Sequence, residues 1–143
     1  MNIDFNFEDV DFTLPDEQSL KDWIDYTVKN EHCFTGNLSY IFCSDEYLLN
    51  MNKQYLGHDY YTDIITFDYV EDKFVSGDMF ISCDRVCDNA KSFNVSRETE
   101  LLRVMIHGVL HLVGYDDLTD EQEAEIHKME DFYIEVYNSK FKK

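Results

Sequence analysis

The segment from His107 to Asp117 constrains the fold of this chain more than any other stretch of its sequence. It reads HGVLHLVGYDD and continues a run with apolar residues at helical spacing. Because His107 and His111 are four residues apart, their imidazoles leave the same face of the predicted helix, one turn from each other. Two imidazoles at this spacing have the geometry that two zinc ligands need.

Gly114 predicts the end of this helix, because glycine readily adopts the left-handed backbone that turns a chain back. Asp117 then returns to the open side of the two histidines, and Asp116 is a competing ligand. Three protein ligands would leave one position of the ion open, as in catalytic zinc sites. The alternative is that His107 and His111 are ordinary polar residues of an amphipathic helix. Their apolar neighbours favour a buried helix whose histidines need partners, and a metal ion supplies one.

Gly108 follows the first histidine at the position where zinc peptidases carry a glutamate that acts as general base. Peptidase activity is therefore disfavoured. A glycine inside a helix costs about 1 kcal/mol relative to alanine, so its presence indicates a local requirement. The requirement is either close packing of the helix on a strand or room for a substrate beside the metal.

The rest of the chain predicts one α+β domain over residues 1–143, with a small mixed β-sheet packed with about five helices. Alternating and β-branched stretches predict the strands, and capping residues such as Ser44, Ser96 and Thr119 predict helix starts. The predicted strands are 2–7, 37–43, 64–70 and 77–82. The first predicted helix starts at 13–15 and ends at about residue 30. The other predicted helices are 45–54, 84–93, 97–112 and 119–138. The metal site is expected on a helix of the carboxyl-terminal half.

The formal net charge of −18 argues against free binding to DNA or any other polyanion, because such binding needs lysine and arginine to displace phosphate counterions. The amino terminus lacks the features of a signal peptide, and no apolar run approaches the roughly 20 residues that span a bilayer, so no membrane partner is expected. The four cysteines are expected to be reduced thiols. Cys83 and Cys87 share one helical face, but no second cysteine or histidine pair accompanies them as structural zinc sites require.

The segment 107–117 resembles the signature HGxLHLxGYDH of the YbeY family, a family of metal-dependent endoribonucleases and ribosomal RNA maturation factors. The chain agrees at every specified position except the last, where Asp117 stands in place of histidine. The resemblance extends upstream through most of 40–130, in the family's order, with matches at Leu49-Asn50, Tyr55, Thr62–Phe67 and Gly77–Ser82.

This resemblance implies one metal ion per chain, zinc or another divalent metal, bound by His107, His111 and Asp117. Aspartate is an acceptable zinc ligand, and Asp116 would otherwise partner a histidine N–H. Because no glutamate follows His107, either a metal-bound hydroxide acts as the base itself or Asp63 or Asp116 assists. His111, Asp63 and Asp116 are therefore the candidate catalytic residues. The resemblance also implies a cytoplasmic bacterial enzyme that acts on the 3′ end of small-subunit rRNA and in ribosome quality control, with RNA presented by the ribosome or its small subunit.

One departure from the family concerns Leu56, which occupies the position of an arginine that is thought to act in RNA cleavage. His58 or Lys53 could contact phosphate instead, although the sequence favours them as exposed loop residues. The chain's only arginines are Arg85, Arg97 and Arg103. Three functions therefore stay open: a single-strand-specific endoribonuclease, a ribosome-assembly factor with a mainly structural metal and, least favoured, a metallopeptidase.

Overall fold

The computed structural model describes residues 2–143, in which strands and helices form one α+β domain. The elements are β1 (Asn2–Phe7), α1 (Glu17–Asn30), β2 (Phe34–Cys43), α2 (Asp45–Leu56), β3 (Ile64–Asp68), β4 (Phe74–Ser82), α3 (Cys83–Ser92), α4 (Arg97–Leu112), α5 (Asp120–Val136) and a π-helical turn (Tyr137–Phe141). The predicted fold class is confirmed, with four strands and five α-helices in the described residues.

The four strands form a mixed sheet in the order β1-β2-β4-β3. The first three strands of this order run parallel, and β3 runs antiparallel to β4 at the edge. Parallel neighbours need crossover connections, which α1 provides between β1 and β2. The segment between β2 and β4 holds both α2 and β3. The loop that joins α2 to β3 therefore lies at the β3 edge of the sheet.

The main core lies between one face of the sheet and helices α1, α4 and α5. Its largest fully buried side chains include Trp23, Tyr40 and Tyr133. A smaller cluster on the other face, made by Cys43, Leu48 and Ile65, is covered by α2. Helix α4 is thus buried along most of its length, and only its polar face reaches solvent.

Gly108 lies where α4 crosses the sheet. A Cβ atom at this position would lie 2.7 Å from the sulfur of Met79 and 3.0 Å from Cδ1 of Ile64. Close helix–strand packing therefore explains this glycine, and the substrate-space alternative has no support from its surroundings.

Most predicted boundaries agree with the structure, and the differences come from contacts distant in sequence. Ser44, Ser96 and Thr119 cap their helices as predicted, but α1 is capped by Asp16 and begins at Glu17. Strands β2 and β4 each begin three residues earlier than predicted, because Phe34 and Phe74 pair across them. Strand β3 ends at residue 68 rather than 70.

All four cysteines are free thiols, in agreement with the prediction. Burial is the main cause that raises the pKa of both Cys43 and Cys83 to about 12, so these thiols are protonated at neutral pH. In residues 2–143 no helix combines the length and the apolar character that crossing a membrane requires.

Candidate metal centre

Three possible ligand atoms converge at the carboxyl-terminal end of α4. The Nε2 atoms of His107 and His111 lie 2.9 Å apart. Oδ2 of Asp117 lies 3.5 Å from the first of these nitrogens and 3.3 Å from the second. Among residues 2–143 these three form the one group of at least three histidine, cysteine or acidic side chains close enough to hold a metal ion. The structure thus brings together the three residues predicted as ligands.

The second nitrogen of each imidazole has its own partner. Nδ1 of His111 lies 2.9 Å from the carbonyl oxygen of Tyr115, and Nδ1 of His107 lies 2.6 Å from Oε2 of Glu130. A carbonyl oxygen or an ionised carboxylate only accepts hydrogen bonds, so both Nδ1 atoms donate. When both rings are neutral, each Nε2 atom then carries a lone pair. Two lone pairs this close, beside the Asp117 carboxylate, form a site that a cation fits.

The carboxylate of Glu130 is itself held in place. Glu130 lies on α5 and is only 1% exposed, and its other oxygen lies 3.0 Å from Nη1 of Arg103. Arg103 also contacts Asp131 at 2.7 Å. The predictions from sequence missed Glu130. The sequence feature that could have identified Glu130 is its spacing from Ile126 and Tyr133, which places an acidic residue on the apolar face of the last helix.

The turn after α4 positions both Asp117 and the partner of His111. Gly114 has a positive φ of 117°, and Tyr115 donates its N–H to the carbonyl oxygen of Leu110 at 2.9 Å. This reversal brings the carbonyl oxygen of Tyr115 within hydrogen-bond distance of Nδ1 of His111. The Tyr115 hydroxyl donates to Oε1 of Glu31 at 2.8 Å, which ties the turn to the end of α1.

The charges around the centre alter several acid–base equilibria. Burial opposes a charge on His107, but the hydrogen bond and charge of Glu130 outweigh it and raise the pKa of the imidazole. Burial raises the pKa of Asp63, with His107 acting in the opposite direction. Burial and the nearby Asp63 raise the pKa of Glu100 to about 7. One oxygen of Glu100 has no hydrogen-bond partner among the described residues.

The centre opens into a cleft of about 550 Å³. All predicted site residues line it: His107, His111, Asp117, Asp63 and Asp116. Asp116 lines the mouth, but the group that can hold a metal includes Asp117 instead. Leu56, at the position of the family's arginine, also lines the cleft and is 46% exposed.

The two alternative phosphate contacts differ in position. His58 is an exposed loop residue, as predicted, and it also lines the cleft. Lys53 is not among the lining residues, and its Nζ lies 3.3 Å from a carboxylate oxygen of Asp59. Each arginine is engaged elsewhere: Arg85 with Asp45, Arg97 over the ring of Phe12 and Arg103 with Glu130. Within residues 2–143 the cleft is therefore lined by no lysine or arginine.

Comparisons with known proteins identify the family to which the chain belongs. Residues 2–138 match the family model described as Endoribonuclease YbeY. The chain is 46% identical over 136 residues to the Endoribonuclease YbeY of Flavobacterium johnsoniae, covering 95% of this chain and 97% of that protein. It is 46% identical over 134 residues to that of Amoebophilus asiaticus, covering 93% and 91%.

A solved structure supports the same relationship. The solution structure of TM1509 from Thermotoga maritima matches with a TM-score of 0.68 and 31% identity, over 94% of this chain and 88% of that one. Helix α4, the turn that follows it and the strands around the cleft all fall within residues 2–138, which the family model matches. Signature, fold and relatives lead to one conclusion: this chain belongs to the endoribonuclease YbeY family.

Proposed function

We propose that this chain hydrolyses single-stranded RNA in the cleft beside His107, His111 and Asp117, in a metal-dependent reaction. Family membership makes it an endoribonuclease, a hydrolase that acts on RNA. The observation that carries the proposal is the convergence of two imidazoles and a carboxylate, with each imidazole oriented by a partner on its far side.

The proposed metal is one zinc ion per chain, although another divalent metal can take the same ligands. Two imidazole nitrogens and one carboxylate oxygen are a ligand set typical of catalytic zinc. A zinc ion bound here would polarise a phosphoryl oxygen and so favour attack on phosphorus.

The chain's own acidic residues are proposed to handle protons. Asp63 lines the cleft, and burial raises its pKa, which makes its carboxylate a better acceptor for a proton from attacking water. Asp116 is exposed and lines the same cleft, where it can relay the proton taken up by Asp63 to the leaving oxygen. His111 would bind the metal through Nε2, while its Nδ1–H donates a hydrogen bond to the carbonyl oxygen of Tyr115.

The proposed substrate is ribosomal RNA, presented in the cytoplasm by the ribosome or its small subunit. A chain with a net charge of −18 repels a free polyanion, so a partner that delivers the RNA would remove this handicap. For the same reason we expect no binding to free DNA.

The proposal is tested by the initial cleavage rate of a single-stranded RNA oligonucleotide at fixed low salt. We expect cleavage with added zinc, loss of cleavage in a chelator and loss of cleavage in His111→Ala. The matched control is His32→Asn, because His32 is exposed, lies outside the cleft and has a positive φ that asparagine tolerates. Cleavage by His111→Ala at the wild-type rate would overturn the proposal.

Leu56→Arg tests whether the missing cation limits the reaction. An arginine side chain at this lining position can clamp the phosphate as charge develops on it, so we expect faster cleavage. Val95→Arg adds the same charge at an exposed position outside the cleft and should leave the rate near wild type. Equal effects of both variants would assign the gain to net charge alone.

The second candidate function is a ribosome-assembly factor with a mainly structural metal. It is favoured by one observation, the absence of lysine and arginine from the cleft lining described above. A metallopeptidase is disfavoured, because Gly108 packs on Met79 and supplies no base. Incubation with unstructured peptides tests that activity directly.

A further inference from the structure

A pair of stacked aromatic rings forms part of the wall of the cleft that holds the metal centre. The rings of His58 and Tyr60 have centroids 5.1 Å apart and an interplanar angle of 18°. Both residues line the same cleft as His107 and His111. Tyr60 remains 55% exposed although it is stacked on His58, so the pair presents aromatic surface to the cleft.

The loop that carries the pair is anchored to a buried side chain. Asn52, on α2, is 1% exposed and donates its amide N–H to the carbonyl oxygen of Tyr60 at 2.9 Å. The backbone N–H of His58 donates to the carbonyl oxygen of the same asparagine at 3.1 Å. A hydrogen bond of 2.9 Å between the Tyr60 hydroxyl and Nδ1 of His58 links the two rings. The aromatic surface is therefore held in place before any ligand arrives.

The rest of the cleft offers little else that can hold RNA. Four aspartates line it, Asp63, Asp68, Asp116 and Asp117, and its described lining has neither lysine nor arginine. Phosphate contacts from the protein are thus weak here, whereas a nucleobase carries no charge and has a flat face. Unpaired bases stack on tyrosine and histidine rings, and this contact does not depend on sequence.

We propose that the His58–Tyr60 pair is a nucleobase subsite, on which an unpaired base of the RNA stacks while the neighbouring phosphodiester lies at the metal centre. This inference rests on the proposed function. It explains how an acidic cleft can select single-stranded RNA: a base within a duplex is already stacked and paired, and its face is not free to contact Tyr60.

The test uses full-length protein with zinc and a single-stranded RNA that contains one 2-aminopurine. For Tyr60→Leu, which keeps apolar bulk and removes the ring, we expect KM to rise about fivefold to hundredfold, as the loss of one stacked base predicts, with kcat within about twofold. The fast quenching of 2-aminopurine fluorescence on mixing should disappear as well. Tyr60→Phe keeps the ring and should keep both the KM and the quenching.

Tyr69→Leu is the matched control, because Tyr69 is 57% exposed and does not line this cleft. An unchanged KM and unchanged quenching in Tyr60→Leu would overturn the subsite, as would equal losses in Tyr69→Leu. The proposed function is judged separately. If the wild type quenches the probe and cleaves no RNA, the subsite stands and the nuclease proposal fails; if it cleaves and Tyr60→Leu behaves like the wild type, only the subsite fails.

Discussion

At the scale of single residues, the substitution of histidine by Asp117 is the main departure at the metal centre. Its carboxylate reaches both imidazoles although the side chain is shorter than histidine. The turn at Gly114 carries the chain back far enough for this to occur. The centre therefore keeps three converging side chains and gains a negative charge, which suits a divalent cation.

We predict that Asp117→Ala weakens metal binding more than Asp116→Ala. Loss of a direct ligand should exceed the roughly 10- to 100-fold loss that follows removal of an outer partner. Asp116 is the matched control, since it is an adjacent aspartate that lines the same cleft. Competition with a chromogenic chelator measures both variants, and the reverse order of affinities would exchange the roles of the two residues.

Glu100 is the second residue with a testable consequence, because it is 3% exposed and one of its oxygens has no hydrogen-bond partner within residues 2–143. Its pKa is raised from 4.5 to about 7 in the folded protein. Between these values the folded state binds more protons than the unfolded state. This carboxyl therefore lowers the free energy of unfolding as pH rises through that window.

We predict that Glu100→Gln is more stable than the wild type at pH 8, by up to about 3 kcal/mol, and that this advantage shrinks towards pH 5. Urea denaturation across this pH range measures the difference. Glu125→Gln, at an exposed position on α5, is the matched control and should change the free energy of unfolding less. A constant difference for Glu100→Gln would show that the residue is ionised throughout.

At the scale of elements, local signals in the sequence determined most of the fold, and contacts between distant segments determined the rest. Ser44 and Ser96 predicted helix starts because a capping side chain acts within three residues. The starts of β2 and β4 were missed because Phe34 and Phe74 extend each other's strands only after pairing. Glu130 and Tyr60 were missed for the same reason, since each reaches the site through a contact between elements.

Two glycines allow close approach of these elements, and we predict that substitution by alanine destabilises the protein more at one position than at the other. A Cβ at Gly77 would lie 2.6 Å from the carbonyl oxygen of Phe67, in the paired strand β3. Gly77→Ala should cost about 1–3 kcal/mol, because the backbone of β3 cannot move without breaking the ladder. At Gly108 the nearest atom belongs to the flexible Met79 side chain. Gly108→Ala should cost less, since alanine also favours the helix by about 1 kcal/mol.

The midpoint of urea denaturation at constant slope measures this pair of variants. Equal destabilisation, or a larger effect at position 108, would mean that Met79 is less able to move than its side chain suggests.

At the scale of the whole molecule, the core and the metal centre are separate. The buried apolar cluster contains residues from Ile3 to Tyr137 but neither His107 nor His111, and both of those imidazoles are partly exposed. The fold thus has its own source of stability, and the three candidate metal ligands lie at the edge of the core.

We therefore predict that removing the metal silences the protein without unfolding it. Near-ultraviolet circular dichroism in a chelator should keep its native shape, while the melting temperature falls. At a free metal concentration 100 times the Kd, the ion contributes about 2.7 kcal/mol to the free energy of unfolding. Loss of the near-ultraviolet signal on chelation would instead favour the assembly factor with a structural metal.

The hydrogen bond between His107 and Glu130 also joins residues that are synthesised at different times. A nascent chain that has emerged only as far as Asp117 already carries both histidines and the aspartate, yet it lacks the carboxylate that orients the first imidazole. By contrast, the turn at Tyr115 needs no residue that follows it, because its partner Glu31 comes earlier in the chain. The complete centre therefore requires α5, which carries Glu130. The carboxylate that orients His107 is therefore absent from any nascent chain that stops before residue 130.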